Sequence, residues 1–88
     1  MMEQIKQLIA DNQTDEAIRL LHQRLAERPD IDEAWYLLGR AHYKRGETRQ
    51  ALNAYLRAME INPESPAREA YNMAIRVLDF YNKDMYNQ

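Results

Sequence analysis

The chain repeats itself at a fixed distance. Pro29 falls on Pro63, Ala17 on Ala51, Ile18 on Leu52, Leu21 on Tyr55 and Leu25 on Met59, each pair 34 residues apart. Thr14 falls on Thr48, and Asn12, placed to end a helix, falls on Gly46. A period of this length marks one supersecondary unit used more than once, in which no copy buries its apolar face alone. Few architectures satisfy that condition, and all of them stack like units in one direction.

Within each period the spacing is helical. Apolar residues recur three and four apart, and strand-like alternation is absent. Two Gly and three Pro do most of the parsing. Five helices are expected. The first covers roughly 2–11, with Met2, Ile5, Leu8 and Ile9 as its stripe, and ends at Asn12, which tolerates the left-handed conformation. The second covers roughly 15–28, with Thr14 as N-cap and Pro29 after its end. The third covers roughly 31–45, opened by Asp30 and Glu33 in a capping-box spacing and closed by Gly46. The fourth covers roughly 49–61 and ends at Asn62-Pro63. Ser65-Pro66 opens the fifth, with Ser as N-cap and Pro at the first helical position. That helix is expected to end near residue 82, ahead of a polar tail from about 83 to 88.

The densest pattern lies at 35–63: Trp35, Leu38, Gly39, His42, Ala51, Tyr55 and Pro63. It resembles the tetratricopeptide repeat, with His42 in place of an aromatic and Tyr55 in place of Phe. The first unit, about 1–31, is a weaker match: Met1 lies where Trp35 would, and Ile5 replaces Gly39. The second unit covers 32–65. After it, strict register would turn Glu69, Asn72 and Arg76 inward, whereas a one-residue shift turns in Ala70, Met73, Ala74 and Val77. The fifth helix, about 66–82, is therefore expected to be a capping helix with one inserted residue. The expected fold is all-α: a helix-turn-helix repeat array (an alpha-alpha superhelix) of two units plus a C-terminal capping helix, forming one domain over 1–88.

The spacing has a physical reason. Trp35, Leu38 and His42 form a stripe that meets Ala51, Tyr55 and Ala58 of the next helix. Gly39 lacks a side chain, so the two backbones can approach there.

The resemblance implies that the first helix of each unit lines a concave face. The candidate protein-binding groove is then Tyr36, Leu37, Arg40, Tyr43 and Lys44, with Tyr71, Asn72 and Ile75 from the capping helix. Glu33, Leu78, Met2, Lys6 and Ile9 are expected beside them. Tyr and Arg are the residue types that anchor interfaces. Packing between neighbouring helices would also account for Tyr36, Tyr43 and Ile75. Arg40 and Lys44, one turn apart, could hold an acidic side chain of a ligand. The carboxylate clamp of chaperone-binding members is not reproduced, because Leu37 or Arg40 and Glu3 or Lys6 stand where two Asn would be.

Composition narrows the function further. There is no Cys, which removes disulfide and thiolate chemistry. His22 and His42 are the only histidines, and neither has a partner at metal-ligand spacing. Ser65 is explained as a cap, and the acidic residues at 15–16 and 30–33 suit helix starts. No Gly-rich phosphate loop is present. No cofactor, metal site or catalytic residue is expected, and the chain reads as a non-enzyme. With 12 Lys+Arg against 14 Asp+Glu, nucleic acid is not an expected partner. No apolar run approaches the ~20 residues that cross a bilayer, so no membrane role is expected, and the location expected is cytoplasmic. The leading expectation is a module binding a protein or peptide ligand in the groove. The alternative is a homodimer formed through the exposed aromatic stripe and the tail, where Phe80, Tyr81, Met85 and Tyr86 crowd together.

Overall fold

A computed structural model describes residues 2–86, with side chains through Tyr81. It contains five helices: α1 (Met2–Ala10), α2 (Thr14–Glu27), α3 (Asp32–Lys44), α4 (Thr48–Ile61) and α5 (Ala67–Tyr86). Each helix packs on the next, and α1 also touches α3. That last contact identifies a stack, because the first helices of two successive hairpins lie side by side. The result is elongated, 47 × 27 × 17 Å.

The 34-residue period is visible in single hydrogen bonds. Asn12 and Gly46 both have left-handed backbones, with φ of 65° and 80°. After α1, the amide of Asn12 donates to Ile9 O and that of Gln13 to Leu8 O. After α3, Gly46 donates to Tyr43 O and Glu47 to His42 O. Both turns are Schellman closures, which require one left-handed residue just past the helix. The amides of Arg28 and Asn62 then close α2 and α4 identically, onto Arg24 O and Ala58 O.

The helix starts differ from expectation. Thr14 is the buried first residue of α2; its predecessor Gln13 holds the cap position and makes no side-chain capping bond. Gln13 is already the last residue of the Schellman turn, so the chain enters α2 with no free residue between. The Asp30–Glu33 capping box does not form either. The cap position of α3 is Ile31, with extended backbone, and the Asp30 carboxylate instead meets Arg28 Nε at 3.2 Å. Ser65 does cap: its Oγ accepts from the Ala67 amide at 3.1 Å. Helix α5 runs on to Tyr86, past the expected end near 82. The side chains of Met85 and Tyr86, expected in an aromatic tail, lie outside the described residues.

The core is continuous through α3. One cluster joins Ile5, Ile9, Leu21 and Leu25 to Ala34, Leu37, Leu38 and Ala41. A second joins Ala51, Tyr55 and Ala58 to Ala67, and Trp35 and Tyr36 pack against both clusters. Each fully buried Ile or Leu contributes about 1.5–3 kcal/mol.

Helix α5 is turned differently from the expected register. Ala67 and Ala74 are buried, Ala70, Tyr71 and Leu78 are half-buried, while Met73 and Val77 are 63% and 43% exposed. Ala70 and Ala74 point inward as expected, and Met73 and Val77 do not. The cause is the partner surface. Helix α4 presents Ala51, Ala58 and the Tyr55 ring, and the small Ala67 and Ala70 pack against it, with Ala74 buried one turn further along.

Candidate functional site

A hollow of about 440 Å³ opens where α1, α3 and the start of α5 meet, bounded by Lys6, Asp32, Glu33, Tyr36, Leu37, Arg40 and Pro66. Its position follows from the stacking: first helices lie side by side, and their solvent faces form one surface. Tyr36 is its centre. The ring lies 6.2 Å from that of Tyr55, tilted by 35°, and the Arg40 guanidinium sits 6.0 Å from the Tyr36 centroid. Tyr36 is thus held on its inner side by the core and flanked by a cation.

The charges are arranged unevenly. Lys6 is shared between Glu3 and Glu33, with Nζ 3.2 Å from a carboxylate oxygen of each. The hydrogen bonds to Glu33 and Glu3 raise its pKa above the ordinary lysine value. Asp32 accepts a hydrogen bond from Asn62 Nδ2 at 3.1 Å, which ties the start of α3 to the end of α4. Arg40 makes no ion pair with a described carboxylate. The hollow therefore has an acidic rim at the start of α3, only partly neutralised by Lys6, and a cation without a described carboxylate partner one turn beyond Tyr36.

The sequence expectation divides here. Tyr36 and Arg40 border the hollow, and Tyr43, 40% exposed, continues their stripe by helical spacing. Leu37 is not an exposed groove residue. It is fully buried and forms the floor, because it faces the α1–α2 hairpin, whose Ile5, Ile9 and Leu21 need a partner. Ile9, expected beside the groove, is in that core as well. Lys44 is already engaged: its Nζ donates to Ile9 O at 2.7 Å, whereas Arg40 has no carboxylate partner among the described residues. Tyr71 borders a different depression, between α4 and α5, with Leu52, Leu56 and Leu78. Asn72 and Ile75 are exposed; helical spacing sets Ile75 on the Tyr71–Leu78 flank, with Asn72 further round toward solvent. The opposite flank of α5 carries Pro66, Ala70, Met73 and Val77, and Pro66 borders the hollow. Reasoning from sequence omitted Asp32 and Pro66, whose positions depend on how successive units meet.

His42 is half-buried, and its Nδ1 lies 2.8 Å from Glu47 Oε1. Glu47 also accepts from Arg45 Nε at 3.1 Å, and Arg45 pairs with Asp15 of the preceding unit. This polar chain ties the α3–α4 turn to α2. No group of His, Asp or Glu suited to a metal ion occurs among the described residues.

The sequence matches the tetratricopeptide repeat family over residues 8–76. The chain belongs to that family. It is also similar to a Bacteroides fragilis protein solved by solution NMR, with 45% sequence identity over 100% of this chain and 90% of the other, and a TM-score of 0.88. No curated protein matches the chain. Tetratricopeptide repeats generally mediate protein–protein interaction, and the fold is typically non-catalytic. Among the described residues, no helix of this tetratricopeptide protein is long and apolar enough to cross a membrane.

Proposed function

We propose that this tetratricopeptide protein is a non-enzymatic module that takes a segment of another protein into the hollow around Tyr36. The observation that supports it most is the Tyr36–Arg40 pair. An aromatic ring backed by the core costs little entropy to hold in place, and an adjacent guanidinium without a carboxylate partner has donors to offer. Interfaces concentrate their energy in such residues. The hollow is half-enclosed and runs along first helices that lie side by side, which suits an extended peptide or the edge of a helix. The acidic rim at Asp32 and Glu33 and the free Arg40 at the other end give the hollow a direction, so a ligand carboxylate belongs at the Arg40 end.

The test is capture of partners from native lysate by the wild-type chain and by a Tyr36→Ala/Arg40→Ala variant. The variant should fail to hold what the wild type holds, with unchanged helicity. Equal capture by both would remove the hollow from the account.

A further inference from the structure

The hollow does not use most of α5. Among the described residues, eight large apolar side chains are substantially exposed, and five of them (Met73, Ile75, Val77, Phe80 and Tyr81) are on this helix. Met73, Val77 and Phe80 are spaced four and three apart, so they form one stripe, which Pro66 and Ala70 extend toward the start of the helix. Met73, Val77 and Phe80 lie off the surface that α5 uses against α4, while Ala70 borders that surface and Pro66 borders the hollow.

We infer that the stripe is a self-pairing surface, on which α5 of a second copy of this chain lies antiparallel with Met73 on the two-fold axis. The stripe is complementary to itself in that register. Reversing the helix about Met73 sets Phe80 over Pro66 of the second copy and brings Val77 within one residue's rise of its Ala70. Each large side chain then faces a small or flat one. The flexible Met meets its own copy at the centre, where an adaptable side chain tolerates a symmetric contact. Charge agrees with shape. Glu69 and Arg76 flank the stripe on the same side, both exposed. The same reversal brings Glu69 of each copy opposite Arg76 of the other, twice over. A two-fold interface requires this, since every patch must be its own partner.

The size also fits. Phe80 is 68% and Met73 63% exposed, and with Val77, Pro66 and Ala70 the stripe offers on the order of 500 Å² per copy. About 1,000 Å² in total is near the lower limit for specific association. The pair is therefore weak, since an area of this size leaves little surplus over the cost of association.

The test is the mass of the purified chain by sedimentation from about 1 to about 200 μM, the range in which weak specific pairs form. The wild type should pass from monomer to dimer. Glu69→Arg and Arg76→Glu should each weaken pairing about tenfold, and the double variant Glu69→Arg/Arg76→Glu should restore it, because the swapped charges face each other again. The chain has no Cys, so Met73→Cys should form a disulfide-linked dimer on mild oxidation, whereas Asp79→Cys, off the stripe, should not. All four positions are exposed, and an unchanged thermal melt confirms folding. A monomer throughout the range overturns the inference, as does a dimer that ignores the charge swap. The readout needs no ligand, and Tyr36→Ala/Arg40→Ala should dimerise normally, so failure here leaves the hollow untouched.

Discussion

Gly39 and Tyr55 occupy one space. A Cβ built on Gly39 would lie 3.1 Å from Tyr55 Cζ, a tight contact, and 2.5 Å from Cδ1, nearer than carbon atoms approach. Tyr55 is 3% exposed, and its ring is backed by Tyr36. The ring therefore has little room to retreat, and the α3–α4 approach depends on the missing side chain.

Gly39→Ala is expected to destabilise the protein. Ala gains about 1 kcal/mol over Gly in helix propensity, but overpacking typically costs about 1–3 kcal/mol. The net loss should be up to about 2 kcal/mol, measured by urea denaturation. Tyr55→Leu, which removes the ring, should make Gly39→Ala neutral or better in a double-mutant cycle. Purely additive effects would show that the ring was not the obstacle.

Tyr55 should also make the protein sensitive to alkali. Burial raises its phenol pKa to about 12, because the phenolate would be desolvated. The unfolded phenol ionises near pH 10. A folded pKa raised above the unfolded value means stability is intact below about pH 10 and falls as pH rises toward 12. The loss should be on the order of 1–2 kcal/mol after allowance for partial solvation. Tyr55→Phe should be neutral at pH 7 and flatten this decline. A Tyr55→Phe protein that declines as steeply as wild type would contradict the assignment.

Glu47 predicts the opposite end of the pH scale. The hydrogen bond from His42, opposed by desolvation and assisted by Arg45, holds its carboxyl below the ordinary glutamate value. A depressed carboxylate pKa gives stability that is present above about pH 4.3 and is lost as pH falls below that. Glu47→Gln should therefore be less stable than wild type at pH 7, with the gap closing in acid. Chemical denaturation from neutral to acid pH measures this. A gap constant with pH would mean that Glu47 acts through shape, not charge.

These residues show which relations a sequence carries. Asn12 and Gly46 could be paired by distance alone, because both sit in the same turn of the same unit. The close approach at Gly39 was legible for the same reason, since it lies within one unit, although it is the Tyr55 ring and not backbone that fills the space. Relations between units were not. Leu37 looked like a groove residue, and only the position of the α1–α2 hairpin makes it core. Helix α5 carries two usable stripes, one through Ala67, Ala70 and Ala74 and one through Met73, Val77 and Phe80. Its own pattern does not choose between them; the alanines and the tyrosine of α4 do. The misread caps at Thr14 and Asp30 were local errors, caused by a turn already closed and by Arg28 taking the carboxylate.

Lys44 separates the groove from the scaffold. Helix α1 is only nine residues long and has no basic residue in its last turn. Lys44 supplies that charge from α3, donating to Ile9 O at 2.7 Å, where the carbonyl ends of α1 accumulate negative potential. A charge-assisted hydrogen bond of this kind is worth about 1.5–3 kcal/mol when part-buried. Lys44→Ala should cost about 1–2 kcal/mol and speed amide hydrogen exchange in α1 more than in α3 or α4. It should leave partner capture intact at temperatures where the variant is folded, whereas Arg40→Ala should reduce capture and leave α1 exchange unchanged. If Lys44→Ala instead abolished capture with normal α1 protection, the ammonium would belong to the ligand and not to the helix end.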